Sequence, residues 1–359
     1  MTSAAATPVF RIIGENIHTT RIVRRPGPLV GSDEEGREAI LFVDEAGQPR
    51  TLPIPEEERR TQEYDEGRVK HVRSAVRLAK DGDGADAEAG LAYLRALALR
   101  QVEGGAHFLD INVDEVSYRL PEQIETMRWL VQTIAAVATV PLSIDSSNLE
   151  IIAAGIVAAH GCCGPPLLNS ASLERVEALD RAVESGGAVI VTAAGASGMP
   201  SDTAERVHNA SRMIELALEH GIAPDLLYVD PLVFPISVDG DFGEHCLGAF
   251  RELRARYGAE IHLTGGMSNV SFGLPGRRLL NDVFLVLAIE AGADSGIIDP
   301  VTNSVEQALE LDRDSHRYQL GYNVLSGADR HCRAYMKAYR AGELEQPELE
   351  QPELGAGVR

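Results

Sequence analysis

Carboxylate and amide side chains recur at the ends of short apolar runs in this chain: Glu15 and Asn16, Asp110 and Asn112, Asp145, Asn169, Asp230, Asn269 and Asp299. Such a set suits a polar organic ligand. A heterocycle with an amidine-like edge pairs two adjacent N–H groups with one carboxylate, and amides satisfy its remaining donors and acceptors. Any one of these residues serves equally well as an N-cap for a following helix, and Asp145-Ser-Ser-Asn148 has that form. The stretch Thr264-Gly-Gly-Met-Ser-Asn-Val-Ser-Phe-Gly-Leu-Pro-Gly-Arg277 adds glycines that let backbone approach a ligand, hydrogen-bonding Ser268 and Asn269, and a planar cation at its far end. The runs carry no Schiff-base lysine, no phosphate loop and no Cys/His cluster, so no metal site is expected.

The elements that must position these side chains alternate regularly. Short β-rich runs at 10–17, 107–112, 141–145, 166–169, 188–193, 227–230, 261–264 and 295–299 are each followed by a helical pattern. Eight β-then-α units imply a closed parallel sheet, the (β/α)8 TIM barrel, whose strand C-termini share one mouth. Such a barrel takes about 250 residues, and the chain has 359. The surplus falls in three places. An excursion over 24–61 contains Glu38–Val43 and Gln48–Pro53 around Asp44-Glu-Ala-Gly47, the form of a β-hairpin. The first helix is split into 66–80 and 87–103, and a further helix is predicted over 328–339. Residues 1–340 are read as a single barrel domain and 341–359, with its tandem EQPEL repeat, as a disordered acidic tail.

Composition narrows the function. A net charge of −21 argues against nucleic acid as a partner. No apolar run is long enough to span a membrane, and Met1 to Pro8 lacks the features of a signal peptide, so the expected location is cytoplasmic. The four cysteines form no CxxC pair, which fits neither a zinc site nor a disulfide framework.

Taken together, Asp110-Ile-Asn-Val-Asp-Glu115, Ile144-Asp-Ser-Ser-Asn148, Asn169-Ser-Ala-Ser172, Asp230-Pro-Leu-Val-Phe-Pro235 and Gly265-Gly-Met-Ser-Asn-Val-Ser-Phe272 resemble the pterin-binding barrels of the methyltetrahydrofolate:corrinoid methyltransferases and of the folate domain of cobalamin-dependent methionine synthase. The resemblance implies that Asp145, Asn169 and Asp230 hold the pterin edge, and that Gly266 and Ser268 line the pocket with Asn112. It sets Asn269 beside N5 of the pterin, with Arg277 near the ligand, Phe272 in the methionine synthase form and Glu15 as the first-strand glutamate. The departures lie in that first strand. The family reads Gly-Glu-Arg-x-Asn where this chain has Gly14-Glu-Asn-Ile-His18, so Asn16 replaces an arginine and His18 an asparagine. His18 is either a proton donor titrating near neutrality or a polar substitute.

The implied activity is methyl transfer between N5 of tetrahydrofolate and the cobalt of a corrinoid (cobalamin), with Asn269, Asp145 and Asp230 as the catalytic set. The base-off motif Asp-x-His-x-x-Gly is absent from this sequence, so the corrinoid is expected free or on a separate protein; a homodimer is the expected assembly. Dihydropteroate synthase shares the pterin barrel, but its Ser-Arg-Lys signature is replaced by Ser268-Asn-Val and its Asp-Pro-Gly turn by Asp230-Pro-Leu. A non-catalytic folate-binding or corrinoid-docking scaffold is the third reading.

Overall fold

The computed structural model describes residues 9–344. Eight strands form one sheet: Arg11–His18, Phe108–Asn112, Leu142–Asp145, Leu167–Ala171, Ala188–Thr192, Leu227–Asp230, His262–Leu263 and Ser295–Ile298. Numbered first to eighth along the chain, their order in the sheet is seventh, sixth, fifth, fourth, third, second, first, eighth. The seventh and eighth strands are joined by Asp294 N–H to Leu263 O (3.2 Å), Ile297 N–H to Gly265 O (2.9 Å) and a parallel bridge between Gly266 and Ile297. This is the expected (β/α)8 barrel. A parallel strand covered on both faces reads as a continuous apolar run, and Ala188-Val-Ile-Val-Thr192 is buried at every position.

Within the described residues the chain packs as two compact units, residues 14–167 and residues 9–13 with 168–344. In the first, the second and third strands pair in register from Leu109 with Leu142 to Asn112 with Asp145, so Asn112 and Asp145 share a level. Helix Leu149–Ala159 lies so close behind the third strand that a Cβ on Gly155 would sit 2.5 Å from Ile144 Cγ2. In the second unit, Val189–Thr192 pairs with Leu227–Asp230, and Tyr228–Val229 with His262–Leu263.

The excursion after the first strand folds as a three-stranded antiparallel sheet, Val30–Ser32, Glu38–Val43 and Pro49–Pro53, with the hairpin where the sequence placed it. Asp44 closes its turn by accepting from the N–H groups of Ala46 (3.0 Å) and Gln48 (2.9 Å). The sheet is fixed to helix Gly84–Glu103 by a T-shaped Phe42–Tyr93 contact and by Arg37, whose fork takes both oxygens of Asp86. Residues expected to open the helix at 66 instead form a strand, Arg68–Lys70, paired antiparallel with Ile22–Arg24; the helix runs His71–Asp81.

The C-terminal helix begins later than predicted, at Arg333, because His331 and Cys332 hold left-handed backbone angles and Asp329 caps the N–H groups of Ala334 and Tyr335. Helix His316–Leu325 is additional to the predicted set. Of the predicted tail, residues 341–344 form a turn with Leu344 buried, and 345–359 lie outside the described residues. No helix among the described residues is long and apolar enough to cross a membrane.

Candidate active site

In the unit of residues 14–167, the ends of the first three strands carry a connected polar group. His18 Nε2 lies 2.9 Å from Asp110 Oδ2, and Asp110 is fully buried. Asn112 Nδ2 donates to Asp145 Oδ2 (2.8 Å), while Asn112 Oδ1 accepts from Asp114 N–H (2.9 Å). Asp114 in turn accepts from Ser146 Oγ (2.5 Å) and Ser147 N–H (2.9 Å). The cap reading of Asp145 is thereby decided: Asn148 caps the following helix through Glu150 N–H, and Asp145 faces Asn112 instead. Asp299 goes the other way, bonding its own turn at Val301 and Thr302.

Burial, and then the neighbouring Asp110 charge, pushes the Asp145 carboxyl up to about 7, against the opposing pull of His18 and Asn112. Burial also pulls the His18 imidazolium down, yet the Asp110 hydrogen bond and the charges of Asp110, Asp145 and Glu15 outweigh it and leave His18 above its ordinary value. One atom each of His18, Asp110 and Asp145 lie within 4.8 Å of one another, a spacing that could hold a metal ion. Within this group Asp110 Oδ2 is hydrogen-bonded to His18, and Asp145 Oδ2 accepts from Asn112. The arginine missing from position 16 has a local counterpart: Arg21 reaches Glu15 Oε1 (3.2 Å) and Asn16 Oδ1 (2.8 Å).

In the other unit, Asn169 lies in the middle of the fourth strand and Asp230 ends the sixth, both at the edge of burial with 9% exposed. Asp230 Oδ1 accepts from Leu232 N–H (2.7 Å), and burial pushes its carboxyl up to about 6, with that hydrogen bond and the Arg206 charge acting against the rise. Leu232 holds φ 70, a left-handed conformation costing a leucine about 1–3 kcal/mol. A Cβ on Gly265 would stand 3.3 Å from Asp230 Oδ1 and 3.0 Å from Val233, so glycine is what lets the seventh-strand loop lie against that carboxylate.

The loop then turns through the short helix Met267–Ser271, where Asn269 N–H bonds Gly266 O and the Asn269 side chain is exposed. Arg277 holds the turn by donating to Ser268 O (2.8 Å) and Ser271 Oγ (3.0 Å). Phe272 is 63% exposed, with the Arg277 guanidinium 5.9 Å from its ring. From the far side, Tyr335 Oη donates to the carbonyls of Pro275 and Gly276.

A family model described as "Pterin binding enzyme" matches residues 83–299. The chain belongs to the pterin-binding enzyme family. Within it, the chain is 31% identical over 260 residues to the methylcorrinoid:tetrahydrofolate methyltransferase of Eubacterium limosum, covering 70% of this chain and 89% of that one. It is 31% identical over 253 residues to methionine synthase of Mycobacterium leprae, covering 64% of this chain and 20% of that much longer protein. A crystal structure of dihydropteroate synthetase superposes with a TM-score of 0.50 at 23% identity, over 62% of this chain and 88% of that one, a likeness of fold alone.

Most residues expected to bind the pterin stand at or beyond a strand end, whereas Glu15 and Asn169 lie within their strands. In one unit His18 is bonded to Asp110, Asn112 to Asp145 and Glu15 to Arg21; in the other Asp230 ends the sixth strand, Gly266, Ser268 and Asn269 follow the seventh, and Arg277 opens helix Arg277–Glu290. The sequence reading missed Asp114 as a hub, Arg21 as the cation beside Glu15, and Arg206. The signal for Arg206 was present. It falls on the same helical stripe as Ala210, Met213 and Ala217, an arginine on the face of Thr203–Glu219 that enters the core.

Proposed function

We propose that this pterin-binding enzyme moves a methyl group between N5 of tetrahydrofolate and the cobalt of a corrinoid, free or carried on a separate protein. The observation that carries the reading is the match to a methylcorrinoid:tetrahydrofolate methyltransferase along 89% of that relative. The chemistry of the side chains fits a pterin. Asp230 is a buried carboxylate with one oxygen fixed by backbone, suited to a ring edge that offers adjacent N–H donors. Asn169 and Asp145 are assigned the remaining ring polar atoms on the family pattern, with Glu15, Asn112 and His18 supporting Asp145.

The N5–CH3 bond is hard to break because an amine anion is a poor leaving group. A group that hydrogen-bonds N5 as its basicity grows lowers the barrier without tightening the ground state. Asn269 is given that part: its amide oxygen accepts from a protonated N5 and its nitrogen donates to a neutral one. Gly266 and Ser268 shape the wall around it, and Arg277 keeps the turn rigid. Exposed Phe272 offers an apolar face to the incoming corrinoid. The working form is taken to be a cytoplasmic homodimer, which sedimentation velocity tests.

The deciding experiment incubates the protein with 5-methyltetrahydrofolate and cob(I)alamin and follows the cobalt spectrum. Conversion to methylcobalamin at catalytic protein concentration supports the transferase. Folate binding without conversion selects a scaffold instead, and product formation from a pterin pyrophosphate with p-aminobenzoate selects a synthase.

A further inference from the structure

Among the described residues Arg206 is the largest fully buried side chain and carries a charge, yet no carboxylate bonds it. Its guanidinium lies 4.7 Å from the Phe234 ring centroid and 5.6 Å from that of Phe242. Nη1 donates to Asp202 O (3.1 Å) and Pro200 O (3.5 Å), and Nε to Leu232 O (3.4 Å). Nη2 is buried with no partner. A buried cation held by three carbonyls, two of them at 3.4 and 3.5 Å, is costly, and a methionine of similar length would fill the space at lower cost. Stability alone does not account for it.

Its contacts say what it serves. Pro200 and Asp202 belong to the loop after the fifth strand, and Leu232 to the loop after the sixth. Leu232 is the residue in left-handed conformation whose N–H fixes Asp230 Oδ1. One residue therefore has its carbonyl on Arg206 and its amide on Asp230. We propose that Arg206 is a positioning residue for Asp230: it locks the Leu232 turn that aims the carboxylate and supplies the charge that balances it. The inference rests on the folate reading for what Asp230 binds, but the coupling of Arg206 to Asp230 stands apart from it.

The charged and titratable groups whose fields act on Arg206 include Cys246, Asp202, Asp230 and Glu205; burial, and then the Asp230 charge, pushes the Cys246 thiol up so that it stays neutral. Removing the Arg206 charge thus leaves Asp230 opposed by burial with only the Leu232 amide in its favour. Asp230 must be ionised to accept both pterin N–H groups, so the effect of the substitution depends on pH.

The test titrates the 13C-labelled Asp230 carboxyl by NMR, assigned with D230N, in wild type, R206M and R206K. The expected result is a midpoint raised by about one pH unit in R206M, a tenfold change in the ratio of ionised to protonated carboxyl, and a midpoint near wild type in R206K. An unchanged midpoint in R206M overturns the proposal. R206Q replaces R206M if that variant does not fold. In parallel, 5-methyltetrahydrofolate affinity is measured at pH 6 and pH 8. Arg206 acting through Asp230 gives a loss of about fivefold at pH 6 that nearly vanishes at pH 8; an equal loss at both is a merely structural role and overturns the proposal. A wild type that fails to bind the folate at either pH refutes the functional reading, and the NMR midpoint still decides the coupling.

Discussion

At the scale of single residues, the chemistry concentrates in side chains whose surroundings are unusually well defined. Asn269 is exposed on a turn that Gly266 and Arg277 make rigid, so removing its amide should alter the reaction and little else. N269A is expected to lose kcat by ~10-fold or more while the folate Kd weakens less, the pattern of an interaction made in the transition state. Stopped-flow kinetics beside equilibrium titration separates the two, and equal losses would remove the transition-state role. His18 offers a second handle. Because the Asp110 hydrogen bond and neighbouring carboxylates hold its folded pKa above the ordinary value, its contribution to stability is fully present below the unfolded value of about 6.5 and is lost as pH rises through the raised one. H18N, which restores the family's asparagine, should therefore lower the melting temperature more at pH 6 than at pH 9. A penalty that is the same at both values means the imidazole is held neutral.

At the scale of elements, the insertion is anchored where it rejoins the barrel. Glu58, fully buried, accepts both Nε (2.9 Å) and Nη2 (2.8 Å) of Arg73 on helix His71–Asp81, and also takes Lys70 N–H (3.1 Å). Truncating one member of such a pair strands the other in the core, so E58A should cost about 3–5 kcal/mol in urea unfolding. E58A combined with R73A should cost less than the sum of the two, and full additivity would show that the pair is not coupled. The strands were legible because buried parallel runs such as Val189-Ile-Val191 leave little else to choose. The hairpin was legible because Asp44 and Gly47 dictate its turn. Strand Arg68–Lys70 was not, since Arg68-Val-Lys70 is too short for a period and its conformation is set by a partner at Ile22–Arg24, distant in sequence. Helix His316–Leu325 escaped because its interior Gly321 reads as a breaker; in the fold that glycine lets the helix lie against Val283. In the site, residue types at strand ends were readable, whereas which carboxylate closes its own turn and which pairs with a neighbouring strand depended on pairing register: Asp145 and Asp299 look alike in sequence and behave oppositely.

At the scale of the whole molecule, a net charge of −21 over 359 residues sets a background of self-repulsion. Screening it should help the folded state, so raising sodium chloride from about 10 to about 150 mM is expected to raise the melting temperature by a few degrees, most of it gained as the Debye length shrinks toward 8 Å. A melting temperature that falls over that range would mean that attractive ion pairs such as Arg37–Asp86 outweigh the net repulsion. The insertion has a last property, set by how it is attached. It leaves the barrel strand through Ile22–Arg24 and returns through Arg68–Lys70, and these two segments pair with each other; Arg24 stands opposite Arg68 and Arg25 N–H bonds Gly67 O at 2.8 Å. Its entrance and exit are thus hydrogen-bonded neighbours, closed whatever the length of chain beyond them. A segment attached at one such gate can change in length without shifting the register of the strand it leaves.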